Sequence, residues 1–223
     1  MHASVLLLAD GRFPAGGHAY SAGVESAVDV GDIHDLASLE RYLDGRLALG
    51  VVEAAFAASA VAAALRADPE RIVVLDDEFD ARVLSPRLCA VSRRLGRQLV
   101  RAGAVIWPTS TLTRLAESSD GPHQPVALGA AVAAAGGVAA DAAAVSLHHL
   151  AAAVCTAGVR LLGLDPLAVA AAQSRSLRCH APGADDVAGW VAASPSDLPA
   201  FGGSLTEILG EMHGEWDARL FVA

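Results

Sequence analysis

Apolar residues recur along this 223-residue chain at helical spacing, and that pattern predicts most of its elements. Leu36, Leu39, Leu43 and Leu47 follow one another at intervals of three and four, one face of a helix that Asp35 can cap. Leu88, Val91, Leu95 and Leu99 form a second such stripe, in a helix that Pro86 can open at its first turn. Val51 to Leu65 reads as an alanine-rich helix with Gly50 as a bend before it, and Pro69 begins the next one through Leu75 and Phe79. Ala19 to Val30 reads as a helix stopped by Gly31, and Val5 to Ala9 as a short strand or a first helical turn. Thr109 or Ser110 can cap a short helix to Glu117. The segment SSDGPHQP, Ser118 to Pro125, is a loop. Helices over Gln124 to Ala135 and Asp141 to Leu162 flank Gly136-Gly137. Pro166 restarts a helix, Ala181 to Gly202 reads as irregular, and Ser204 to Gly214 as a last helix.

No series of strand-like runs and no fixed-period repeat interrupts this pattern. The expected architecture is all-α: one domain over residues 1–223, a multi-helix bundle of about ten helices with short loops.

Composition sharpens the picture of the core. Hydrophobic residues make up 53% of the chain but aromatic ones only 4%, with alanine supplying much of the difference. Alanine favours helix and buries little area per side chain. Helices must therefore pack closely, with leucine and valine as filling.

Charge removes some function classes. The formal net charge is −9, and all 16 basic residues are arginine. Without lysine the chain has no Walker A loop of its own. The acidic balance argues against nucleic acid, whose binding rests on basic side chains. No stretch reaches 18 uninterrupted apolar residues, and the N-terminus lacks a basic leader. Cys89, Cys155 and Cys179 form no metal-ligand spacing and read as reduced thiols in a cytoplasmic protein.

The candidate chemistry is sparse. Ala19-Tyr20-Ser21-Ala22-Gly23 approaches the G-x-S-x-G nucleophile elbow, which would make Ser21 the nucleophile of a serine hydrolase, with His123 or His213 as base. That motif needs a strand entering it, where this chain has Pro14, Gly16 and Gly17. His148 and His149 are adjacent and diverge by about 100° on a helix, so they do not chelate together. His18 and Cys179-His180 are isolated. Asp76-Asp77-Glu78 and Asp80 read as a solvated helix face. These residues suggest no metal and no cofactor. Arg93, Arg97 and Arg101 lie four apart on one helix face, with Arg94 beside them and Trp107 nearby. Such a row suits a solvated face, a docking face for an acidic partner, or arginines forking onto carboxylates.

One segment resembles a known family. Phe13-Pro14-Ala15-Gly16-Gly17-His18-Ala19-Tyr20-Ser21-Ala22-Gly23-Val24-Glu25 is similar to the N-terminal signature of the urease accessory protein UreF family, with Pro14, Gly16, Tyr20, Ser21, Gly23 and Glu25 in place. His18 departs from it most. Ser92-Arg93-Arg94-Leu95-Gly96-Arg97, His123 to Gly129, Ala157 to Leu164, Gln173 and the ending from His213 through Arg219-Leu220-Phe221 resemble further family segments, in order.

The resemblance implies an all-α protein with no catalytic chemistry of its own. It implies a homodimer that binds UreD (UreH), recruits the nickel-carrying GTPase UreG, regulates its GTP hydrolysis and meets apo-urease. On this reading Tyr20, Ser21, Glu25, Arg93, Arg97 and Arg219 contact partners. Gly16, Gly17 and Gly23 let backbones approach closely. A serine hydrolase using Ser21 is the alternative.

Overall fold

A computed structural model describes residues 2–17, 20–213 and 220–221. Among them there is no strand, and the fold is all-α. A 3₁₀ turn, Ala3–Val5, leads into α1 (Leu6–Ala9). Then come α2 (Val24–Asp29), α3 (Leu36–Leu49), α4 (Val51–Leu65), α5 (Pro69–Asp80), α6 (Pro86–Ile106) and α7 (Ser110–Glu117). The chain continues with α8 (Gln124–Ala134), α9 (Ala139–Leu162), α10 (Pro166–His180), α11 (Ala184–Ala192) and α12 (Ser204–His213).

The punctuation read from the sequence sets most boundaries. Asp35 caps α3: its carboxylate accepts the Ser38 amide at 2.8 Å, and the Ser38 hydroxyl accepts the Asp35 amide at 3.0 Å. Asp68, Ser85, Thr109 and Asp165 cap α5, α6, α7 and α10, three of which start on proline. Gly50 joins α3 to α4 across a 41° bend.

Helix α4 is the axis of the molecule. Every residue from Ala54 to Ala63 is buried, and the helix packs against α8 on one side and α9 on another. Helix α8 is buried from Pro125 to Val132. The low aromatic content explains this arrangement, since alanine faces let helix axes come close without leaving voids. Phe56 is an exception, a large ring wholly buried on α4 and set edge-on to Phe79 of α5 at 5.2 Å. Helix α9 is long and apolar enough to cross a membrane, but 61% of its most apolar window is buried inside the bundle. Its apolar surface is core.

Two expectations need correction. The helix expected from Ala19 starts later, at Val24, because Ala22 and Gly23 are both left-handed, with φ of 55° and 85°. The expected irregular stretch from Ala181 contains α11 and a second 3₁₀ turn, Pro195–Asp197. Arginines from elsewhere hold it in place. Arg82 reaches the carbonyls of Ser196, Leu198 and Pro199 at 3.1–3.2 Å, and Arg71 that of Ala193 at 2.6 Å.

Candidate functional site

The glycine-rich opening makes a corner over the start of α2. Gly23 has φ +85°, and a Cβ there would lie 2.6 Å from the Tyr42 hydroxyl, so only glycine fits. That hydroxyl donates to the Ala22 carbonyl at 2.9 Å, pinning the left-handed pair. Enclosure pushes the Tyr42 phenol up to about 12. Gly16, at φ +78°, sits against the Gln98 side chain of α6. At Gly17 a Cβ would meet nothing, so the requirement there is not steric. Phe13 stacks on Trp107 at 6.0 Å, which ties the corner to the end of α6 and leaves Trp107 half-buried rather than presented.

Tyr20 is half-buried and lines a cavity of about 390 Å³ beneath the corner. Arg46, Glu53, His148 and His149 also line it. Burial pushes the Tyr20 phenol up, against the opposing positive charge of Arg46. Glu53 is raised too, by burial, with Arg46 again opposing. The two histidines are fixed on backbone carbonyls of α1: His148 on Ala9 at 3.2 Å and His149 on Leu8 at 2.6 Å.

Glu25 faces inward. Its carboxylate accepts the Leu220 amide at 2.8 Å, the Phe221 amide at 3.0 Å and His213 Nε2 at 2.7 Å. Burial alone would raise its pKa, but these bonds outweigh it and the pKa is lowered. Phe221 is buried, with the Arg160 guanidinium over its ring at 4.8 Å. The first motif of the chain is thus bonded to its last described residues. His18 and Arg219 lie outside the described residues.

Ser21 is wholly buried. A nucleophile there has no access to substrate, and among the described residues no strand enters the turn, so the elbow reading lacks both of its geometric requirements.

The arginine row forms a second centre. Arg93 donates to Asp76 at 2.9 Å, to Asp80 at 2.7 Å and to the Gly121 carbonyl at 2.9 Å. Asp76 and Asp80 are one turn apart on α5, and Arg93 of α6 reaches both. The expected solvated acidic face is therefore corrected for Asp76, whose side chain is largely buried, while Asp80 is ion-paired but stays half exposed. Both also hold His123, which is fully buried: its amide donates to Asp76 at 2.7 Å and its Nε2 lies 2.9 Å from Asp80. The His123 and Arg93 bonds to Asp80 outweigh desolvation and hold its carboxyl well below the usual carboxylate range. Burial lowers the His123 pKa, against the bond to Asp80. Arg97 donates to the carbonyls of Ser119 and Asp120 at 3.2 and 3.1 Å. Arg93 and Arg97 together clamp the 118–122 loop onto α6, and Gly96 between them lets the Pro122 carbonyl approach the helix backbone.

Comparison with known proteins covers the same ground. The UreF family model matches residues 33–177. The urease accessory protein UreF of Mycobacterium sp. (strain JLS) is 37% identical over 221 residues, covering 99% of this chain and 98% of the relative. That of Mycolicibacterium vanbaalenii is 37% identical over 224 residues, with the same coverage. That of Mycobacterium tuberculosis (strain H37Rv) is 36% identical over 169 residues, covering 75% of this chain and 76% of the relative.

The chain belongs to the UreF family. The UreF family match begins after the glycine corner and ends before the C-terminal segment, while the alignments with the Mycobacterium sp. (strain JLS) and Mycolicibacterium vanbaalenii proteins extend over nearly the whole chain. The partners of the UreF-like motif residues were not visible in sequence. Glu25 finds Leu220 and Phe221 from the opposite end of the chain, and Arg93 finds acids of a different helix. Asp80, Cys89 and His123, from three separate elements, place one potential ligand atom each within 4.8 Å of one another. The signals available in sequence for this second centre were the family-like segments Ser92–Arg97 and His123–Gly129 and the one-turn spacing of Asp76 and Asp80.

Proposed function

We propose that this chain is a urease maturation factor: a non-catalytic scaffold that with UreD (UreH) recruits the nickel-carrying GTPase UreG and regulates its GTP hydrolysis during nickel insertion into apo-urease. The carrying observation is that the UreF-like signature at one end of the chain and the residues at the other meet in one bonded corner, in a chain 37% identical to urease accessory proteins over nearly its full length. We read residues 1–223 as one cytoplasmic, homodimeric domain that uses no nucleic acid, membrane or cofactor.

In this reading Tyr20, half-buried with its phenol turned toward Arg46, offers the exposed part of its ring as the aromatic contact that interfaces favour. Ser21 and Glu25 shape the corner from inside. Gly16, Gly17 and Gly23 keep the backbone low there. Arg93 and Arg97 hold the 118–122 loop as part of a second partner surface. Arg219, next to the bonded Leu220, supplies a forked contact to a carboxylate of a partner.

Co-purification tests the assignment. Tyr20→Ala and Arg219→Ala should each reduce recovery of UreD and UreG with the tagged chain while far-ultraviolet circular dichroism stays unchanged. Undiminished recovery in both would remove the corner from the docking surface.

A further inference from the structure

We propose that Asp80, Cys89 and His123 form a binding site for one late first-row divalent cation of the Zn²⁺ or Co²⁺ type. The site is separate from the glycine corner, and nothing in the proposed scaffold function requires it.

The donor set comes first. Asp80 ends α5, Cys89 lies in the first turns of α6, and His123 immediately precedes α8. Asp80 Oδ1 lies 2.9 Å from His123 Nε2 and 3.3 Å from Cys89 Sγ. One oxygen, one sulfur and one imidazole nitrogen in a group this tight suit a tetrahedral ion of borderline softness. Mg²⁺ and Ca²⁺ prefer oxygen alone.

Charge and tautomer agree with this. Asp76 and Asp80 against Arg93 leave one net negative charge in the cluster. Cys89 on binding loses its thiol proton to solvent and adds a second, and a divalent cation cancels both. The His123 ring is held on its far side by the Ser92 hydroxyl, 3.1 Å from Nδ1. That hydroxyl also accepts the Gln124 amide at 3.2 Å. With the ion bound, Nδ1–H donates to Ser92 and the Nε2 lone pair faces the metal, an arrangement usual for ligating histidines. Without it, Nε2–H donates to Asp80 and the Ser92 hydroxyl donates to Nδ1. At the ring one hydrogen bond is exchanged for one metal bond, and at Cys89 the thiol's bond to Asp80 Oδ1 is likewise exchanged for a thiolate–metal bond.

Arg93 competes for Asp80 Oδ1, but Asp76 and the Gly121 carbonyl keep it bonded when that oxygen turns to the ion. Access is open from the Asp80 side, where 47% of that side chain is exposed. The same opening leaves the fourth ligand position to water. The Phe79 ring packs against that of His123, with centroids 5.0 Å apart.

The test uses the purified full-length chain without a histidine tag. Equilibrium dialysis against Zn²⁺ should give one ion per chain, and Co²⁺ should produce a thiolate-to-metal charge-transfer absorption. Cys89→Ser should abolish that absorption and weaken binding by at least the roughly 10-fold known for outer-sphere changes. Cys179→Ser should leave both intact. Absence of stoichiometric binding, or an absorption that survives Cys89→Ser, overturns the proposal. Loss on Cys179→Ser or on Cys155→Ser overturns it as well, and because these two controls retain Cys89 as the sole remaining alternative they decide the matter even where Cys89→Ser fails to fold.

Discussion

Glu25→Gln probes the bonded corner with little change of shape. The carboxylate accepts three hydrogen bonds, two at Oε2 from His213 and Phe221 and one at Oε1 from Leu220. A glutamine with its oxygen in the Oε2 position keeps the first two, but as bonds to a neutral acceptor. Its NH₂ group then faces the Leu220 amide, and that bond is lost. A bond to a charged group contributes about 1 kcal/mol more than a neutral one, and losing the Leu220 bond, itself to a charged group, costs about 1.5–3 kcal/mol, for a total of about 3.5–5 kcal/mol. Leu220 is half exposed, so water can take its freed amide and the cost stays near the lower end. The loss falls on docking of the C-terminal segment, so the undocked population should rise roughly 300-fold. Hydrogen exchange at the Phe221 amide reads that population directly, since local opening sets its rate. The sign with pH follows from the lowered Glu25 pKa. The wild-type contribution is present above the ordinary carboxylate range and is lost as pH falls through the lowered value, whereas Glu25→Gln shows no such dependence. An exchange rate at Phe221 that stays the same in the variant at neutral pH would refute the reasoning.

Two further outcomes are expected. Gly96→Ala places a Cβ 2.0 Å from the Pro122 carbonyl oxygen and 2.9 Å from the His123 carbonyl carbon, both backbone atoms. It should cost about 1–3 kcal/mol, seen as a lower urea midpoint at unchanged slope; an unchanged midpoint contradicts the close approach. Asp80, held well below the usual carboxylate range by His123 and Arg93, contributes stability that is present above its unfolded pKa and is lost as pH falls toward the folded value. The melting temperature of wild type should therefore fall between about pH 5 and 3, and Asp80→Asn should flatten part of that slope; an identical slope in the variant removes Asp80 from the acid response.

What the sequence revealed is mostly local. Asp35 acts on an amide three residues away, and Pro69, Pro86 and Pro166 mark helix starts without any knowledge of the fold; the caps that precede those prolines, Asp68, Ser85 and Asp165, are equally local but emerge only in the structure. The late start of α2 was hidden because Ala22 takes a left-handed φ that its own residue type does not favour. Tyr42, from the next helix, holds it there. Helix α11 was hidden for a similar reason: its flanking turns are rich in glycine, proline and serine, and Arg71 and Arg82 supply the order from α5 and the turn after it. At the site, the glycines, Tyr20 and the arginine row were legible as residue types. Their partners were not, because Glu25 bonds to residues almost two hundred positions away and Arg93 to acids that local reading placed in solvent. Motif resemblance identified the family where contact geometry was out of reach.

The central claim, that this chain serves nickel insertion into urease, is tested most directly by measuring nickel per active site in urease purified after co-expression of the structural subunits, UreD and UreG with and without this chain. The account predicts nickel-depleted, inactive urease when the chain is left out, and loading restored when it is supplied. Full nickel loading in its absence would contradict it.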